Sequence, residues 1–94
     1  MIGLGSVVRL AAMARLRFDR HANQYMLLYP ERGLMLSPTA ADVVTLCVEA
    51  RSVEAIVESL IGRYGEPSRG AVTADVIELL RGLAERGLLD EVAS

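Results

Sequence analysis

At Ser37-Pro38 the spacing of apolar residues changes from a period of two to a period near 3.6, and this switch does more than any other feature to limit what the 94-residue chain can fold into. Before it, Arg15-Leu16-Arg17-Phe18-Asp19 alternates polar and apolar side chains, placing Leu16 and Phe18 on one face of a half-buried strand. Asp19-Arg20-His21-Ala22-Asn23 reads as a turn and Gln24 to Tyr29 as a second strand. Pro30-Glu31-Arg32-Gly33 then supplies a reversal into a short third strand, Leu34-Met35-Leu36. Three successive strands with short loops predict an antiparallel meander.

After the switch the chain is helical. Ser37 can cap a free backbone N–H and Pro38 is tolerated at the first helical position, so a first helix is expected from there to about Glu49. Ala40, Val43, Val44 and Cys47 form its buried stripe, which Leu46 widens. A break at Arg51-Ser52 precedes a second helix. There Val53, Ile56, Val57, Leu60, Ile61 and Tyr64 follow an i, i+3, i+4, i+7, i+8, i+11 series that Gly65 ends. Glu66-Pro67-Ser68 leads into the third helix, with Ser68 as its cap and Gly87 as a left-handed stop, after which Leu88-Leu89 packs back. Val72, Val76, Leu79 and Leu83 lie within about 60° of one another at 100° per residue and form the core stripe of this helix. Thr73, Leu80 and Ala84 lie beside it, and Ile77 sits about 140° round from Val72. This apolar shoulder exceeds what one core face needs. The expected fold class is α+β, a small winged-helix-like domain in which a three-stranded antiparallel meander precedes a three-helix bundle. Residues 1–14 lack firm periodicity and contain Gly3, Gly5 and Ser6, so they are expected as a mobile N-terminal arm or an irregular first strand, leaving 15–94 as the single domain.

Hydrophobic residues make up 52% of the chain and the mean hydropathy is +0.34, high for a domain too small to bury all its apolar surface. Exposed apolar surface marks a binding site for a partner or for a second copy. Net charge is −2, divided as five Arg against two acids in residues 1–36 and five Arg against ten acids in residues 37–94. That balance argues against nucleic acid, whose affinity comes largely from cations neutralising phosphates. No apolar run reaches the roughly 18 residues of a spanning helix, so no membrane is expected. Ala12-Met13-Ala14 resembles a cleavage site, but no positive charge precedes the apolar stretch, Gly3 and Gly5 interrupt it and Arg9 lies within it. A cytoplasmic protein is expected.

Chemistry-bearing constellations are missing. Cys47 is a lone cysteine without ligand-spaced His or Cys neighbours, and it reads as a small buried hydrophobe. His21 lies in a polar turn with no partner near it in sequence. The acids of the C-terminal half alternate with Arg, as on a solvated helix face, and no glycine-rich phosphate loop is present. A non-enzyme without metal or cofactor is expected.

Two stretches resemble the pyrroloquinoline quinone (PQQ) biosynthesis D family, PqqD. They are Arg15-Leu16-Arg17-Phe18-Asp19 leading to Leu27-Leu28-Tyr29-Pro30-Glu31, and Ala74-Asp75-Val76 leading to Leu83-Ala84-Glu85-Arg86-Gly87-Leu88-Leu89. Between them, Ser37-x-Thr39-Ala40-Ala41, Ser52-Val53-x-x-Ile56 and Arg63-Tyr64-Gly65 are similar to that family's middle section, so the resemblance spans roughly residues 15–90. It implies a peptide chaperone of the precursor-peptide recognition class. Such a protein binds a PqqA-like ribosomal precursor and presents it to a PqqE-like radical S-adenosylmethionine (SAM) enzyme, which holds the cofactors and cross-links Glu and Tyr side chains of the precursor. A short edge strand fits this role, because a peptide can add to it through main-chain hydrogen bonds. On this reading Leu34, Met35 and Leu36 pair with the peptide backbone, and Thr73, Ile77, Leu80, Arg81 and Ala84 line the opposite wall. Two alternatives stand beside it. A winged-helix DNA-binding regulator shares the Leu-Ala-Glu-Arg-Gly-Leu-Leu ending but needs a basic recognition face, whereas Asp75, Glu78 and Glu85 balance Arg69, Arg81 and Arg86. A structural homodimer would use the same strand edge and shoulder.

Overall fold

The computed structural model describes residues 1–30, 32–65 and 68–92. The meander is present as β2 (Arg15–Asp19), β3 (Gln24–Tyr29) and β4 (Arg32–Met35), with Leu16 opposite Leu27 and Leu27 opposite Leu34. Asp19 closes the first turn by accepting the His21 and Ala22 N–H groups on Oδ1, at 2.9 and 3.3 Å. Asn23 then adopts φ 55°, a left-handed value that asparagine tolerates better than most residues. In the second reversal Glu31 lies outside the described residues, as do Glu66 and Pro67 of the lead-in to the third helix.

Helix α1 spans Pro38–Leu46, shorter than the expected run to Glu49. Its start follows the sequence: Ser37 Oγ accepts the Ala40 N–H at 3.2 Å, with Pro38 just inside. Its end tightens into i→i+3 bonds, with the Cys47 and Val48 N–H groups reaching the Val44 and Thr45 carbonyls at 3.0 and 3.4 Å, and the free Cys47 carbonyl accepts the Leu10 N–H at 2.8 Å. Ser52 and Ser68 cap α2 (Val53–Tyr64) and α3 (Arg69–Glu85) in the same way, through the N–H groups of Ala55 and Ala71. At the far end of α3, Gly87 takes φ 76° and its N–H reaches the Ala84 carbonyl at 3.0 Å, while the Leu88 N–H reaches Leu83 at 2.9 Å. This pair of bonds is a Schellman motif, and it turns Leu88 into the core beside Leu83.

The sequence reading missed a second sheet. Strand β1 (Val7–Leu10) lies between β5 (Arg51–Ser52) and β6 (Leu89–Val92), antiparallel to both, with Val7 opposite Val92 and Leu10 opposite Leu89. The segment expected as a mobile arm or an irregular first strand therefore contains the central strand of a sheet. Val8 is fully buried, and Ile2, Leu10 and Ala14 join the same core as Leu27, Val44, Ile56, Leu80 and Leu88. The residues ahead of β1 are tied down as well. The Ser6 and Leu4 carbonyls accept the Val53 and Glu54 N–H groups at 2.9 and 3.2 Å, satisfying two of the donors that the first turn of α2 leaves without helical partners. Arg81 donates Nε and Nη2 to the Ile2 carbonyl at 3.2 and 2.9 Å.

Candidate functional site

Strand β4 is an edge of the β2-β3-β4 sheet, and the alternation of an antiparallel ladder decides which of its backbone groups are turned outward. The Leu36 N–H donates to the Tyr25 carbonyl at 2.9 Å, which makes Leu36 and Tyr25 a hydrogen-bonded pair. Two residues back along the same register, Leu34 and Leu27 form another such pair. The N–H and C=O groups of Gly33 and Met35 therefore point away from β3, toward the free edge. This corrects the expected division of labour. Leu34 and Leu36 spend their backbone groups on β3, and the Leu36 side chain, 3% exposed, belongs to the core. Only Met35, 41% exposed, keeps the backbone role expected of it, and Gly33 joins it.

Leu34 instead turns its side chain inward, where it forms one wall of a groove of about 480 Å³ whose other wall is α3. From the helix come Asp75, Glu78, Leu79, Gly82, Leu83 and Arg86. At 100° per residue Asp75, Leu79, Gly82 and Arg86 fall within about 60° of one another, a continuous stripe along the helix. The wall expected from the sequence, Thr73, Ile77, Leu80, Arg81 and Ala84, is centred about 180° away. Leu80 is fully buried, Ile77 and Ala84 pack against the core, and Arg81 holds the N-terminal segment. Their apolar shoulder looked vacant only because the second sheet and the segment before it were not foreseen. Gly82 leaves this side of α3 open, since a Cβ there would meet nothing within 4 Å, but the sequence did not single it out: Gly62 in α2 is open in the same way.

From Asp75 to Arg86 the helix rises about 16 Å, the length of roughly five residues of extended chain. Acids stand toward the N-terminal end of this stripe and Arg86 at the other, with Leu34, Leu79 and Leu83 between them. An apolar trough bordered by unpaired strand groups suits an extended peptide, which main-chain bonds hold without regard to sequence and side-chain contacts then select.

Among the described residues the groove is lined by no cysteine, serine, threonine or histidine, and its charged groups are Asp75, Glu78 and Arg86. Cys47 is fully buried elsewhere, and burial pushes its thiol up to about 11, with Arg51 pulling weakly the other way. At neutral pH it therefore remains a thiol, the unreactive form. His21 is exposed in the β2–β3 turn. The Tyr64 hydroxyl donates to Asp42, and that bond is the foremost cause holding the phenol above its ordinary range; Arg63 joins the same carboxylate at 2.9 Å. Among the described residues no group of His, Cys, Asp or Glu is placed to hold a metal ion, and no helix is long and apolar enough to cross a membrane.

Comparison with known proteins bears on the family and the fold. The family model described as coenzyme PQQ synthesis protein D matches residues 24–89. A PqqA binding protein of Rhodopseudomonas palustris is 41% identical over 78 residues, which cover 83% of this chain and 76% of that one. The solution structure of the PqqD part of Methylobacterium extorquens PqqCD, described as a stand-alone recognition element for ribosomally synthesised and post-translationally modified peptides, superimposes with a TM-score of 0.81 at 32% identity. That match covers 96% of this chain and 95% of the other. TbiB1, solved in complex with the TbiA(beta) leader peptide, shares the fold with a TM-score of 0.76 at 22% identity, over 92% of this chain and 99% of its own.

Proposed function

Because the chain belongs to the coenzyme PQQ synthesis protein D family, we propose that it binds a PqqA-like precursor peptide as an added strand on β4, against α3, and carries out no chemistry itself. The observation that carries this reading is the free edge at Gly33 and Met35 running beside the Leu34–α3 groove. Strand addition uses the N–H and C=O groups already directed outward, so β4 need not be rebuilt to accept the peptide. The bound peptide then presents alternate side chains to the groove and to solvent. Those facing solvent stay available to a second protein, and we assign that place to a PqqE-like radical SAM enzyme, which would supply the iron–sulfur clusters and SAM. The cytoplasm, where ribosomal precursors are made, is the compartment this role requires.

Titration of isotope-labelled protein with the PqqA precursor peptide, followed by amide shifts, tests the reading. The largest shifts are expected at Gly33 to Met35 and at Asp75, Leu79, Gly82 and Arg86. Shifts confined to Thr73, Ile77, Arg81 and Ala84, on the far side of α3, would reject the site and return the choice to the wall read from the sequence. A homodimer joined through the same strand edge predicts a light-scattering mass that falls as peptide is added.

A further inference from the structure

A second cavity, of about 230 Å³, lies where the three helices meet. Val43, Leu60, Val72, Val76 and Leu79 line it, with Thr39, Tyr64, Gly65 and Asp75 completing the wall. Two of these residues, Asp75 and Leu79, also line the groove beside β4, so the two spaces adjoin at the N-terminal half of α3. Chain direction agrees with that placement. β4 ends at Met35, and Thr39 follows in the first turn of α1, so the cavity lies beyond the C-terminal end of the edge strand. The groove itself is bordered by two acids and an arginine, whereas Val43, Leu60 and Val76 are buried apolar side chains that give this cavity an oily floor.

Resting on the peptide-binding reading above, we infer that the cavity is an anchor subsite that takes one large apolar side chain, of the leucine, isoleucine or phenylalanine class, from the bound peptide. The volume suits such an occupant, since an apolar cavity of about 150 Å³ already admits benzene. Its composition suits it too: Val43, Leu60, Val72, Val76 and Leu79 make up most of the lining, so a charged or amide side chain would exchange water for few polar neighbours, whereas an aliphatic or aromatic one is matched along most of the wall. Position gives the subsite a second consequence. The anchored residue sits at the end of the roughly five-residue added strand that lies past Met35, so it fixes the register of the peptide, which main-chain pairing alone leaves free to slip in steps of two residues.

The test uses the intact chain, the PqqA precursor peptide, and a set of that peptide in which each large apolar residue is replaced singly by alanine. Val72→Phe fills the cavity from a half-buried position on α3, and Thr39→Phe blocks it from the exposed rim on α1. Both are expected to weaken the unmodified peptide about ten- to a hundredfold, the equivalent of losing one buried large side chain. One alanine peptide is expected to lose the same factor on the original protein and to lose nothing further on either variant, because the two changes remove one contact. Should Val72→Phe fail to fold, Thr39→Phe decides alone. Unchanged affinity in a folded variant overturns the subsite. If Met35→Pro still weakens binding in that case, the strand-addition reading survives without it. Failure of the unmodified protein to bind the peptide at all overturns both.

Discussion

Deletion of residues 1–11 is expected to unfold the domain rather than trim a loose end. Ile2, Val8 and Leu10 are buried, and burial of each such side chain contributes about 1.5–3 kcal/mol, so their loss removes roughly 5–9 kcal/mol from a domain whose total stability is of order 5–15 kcal/mol. The backbone losses act in the same direction. Without β1, strands β5 and β6 have no partner, because each pairs only with β1 in that sheet. The first turn of α2 loses the Ser6 and Leu4 carbonyls, and the Cys47 carbonyl loses the Leu10 N–H. A thermal melt followed by circular dichroism should lose its cooperative transition, and amide spectra should lose their dispersion. A truncated chain that melts within a few degrees of the intact one would show that the first strand is dispensable.

Met35→Pro is expected to leave the domain folded while weakening the PqqA precursor peptide about ten- to a hundredfold. Proline is tolerated on an edge strand wherever the missing N–H faces outward, and the Met35 N–H does so. The ladder to β3 runs through Leu34 and Leu36, so it keeps its bonds. What disappears is one donor to the incoming strand, and the peptide carbonyl that it served is left in the groove without a partner, an effect worth about 1–3 kcal/mol. Leu34→Pro is the opposite control. Its N–H belongs to the Leu27 pair, so proline there breaks the sheet and should lower the melting temperature along with binding. Calorimetric titration beside a melt separates the two. Equal peptide affinity for Met35→Pro and the parent would mean that the edge donor takes no part.

The elements that sequence reading found are those whose signal is local. The meander rests on alternation in Arg15–Asp19 and a turn closed by Asp19, and the helices rest on periodic apolar stripes, with Ser37 and Ser68 read as caps and Arg51-Ser52 as a break. All three serines act as caps in the structure. The second sheet has no local signal of that kind. β5 is two residues long, and β1 and β6 are four each and pair across most of the chain, Val7 with Val92. Neither alternation nor spacing can reveal a partner so distant in sequence. That omission bears on the candidate wall of α3. With β1 and β6 unseen, Thr73, Ile77 and Ala84 looked like an unclaimed shoulder on α3, and the side bearing Asp75, Glu78 and Arg86 looked like an ordinary solvated face. The strand now numbered β4 was expected as the binding edge, but which of its residues face outward depends on register, which only the Leu36–Tyr25 bond makes readable.

Strand addition requires the outward amides of β4 to become bonded when the peptide arrives. Hydrogen exchange of the Gly33 and Met35 amides, measured residue by residue in the free protein and at saturating PqqA precursor peptide, tests this most directly. Both amides are expected to exchange quickly in the free protein and to slow at least tenfold when bound, while Leu34, already paired with Leu27, changes far less. A peptide that binds to saturation and leaves both exchange rates where they were would contradict strand addition at this edge.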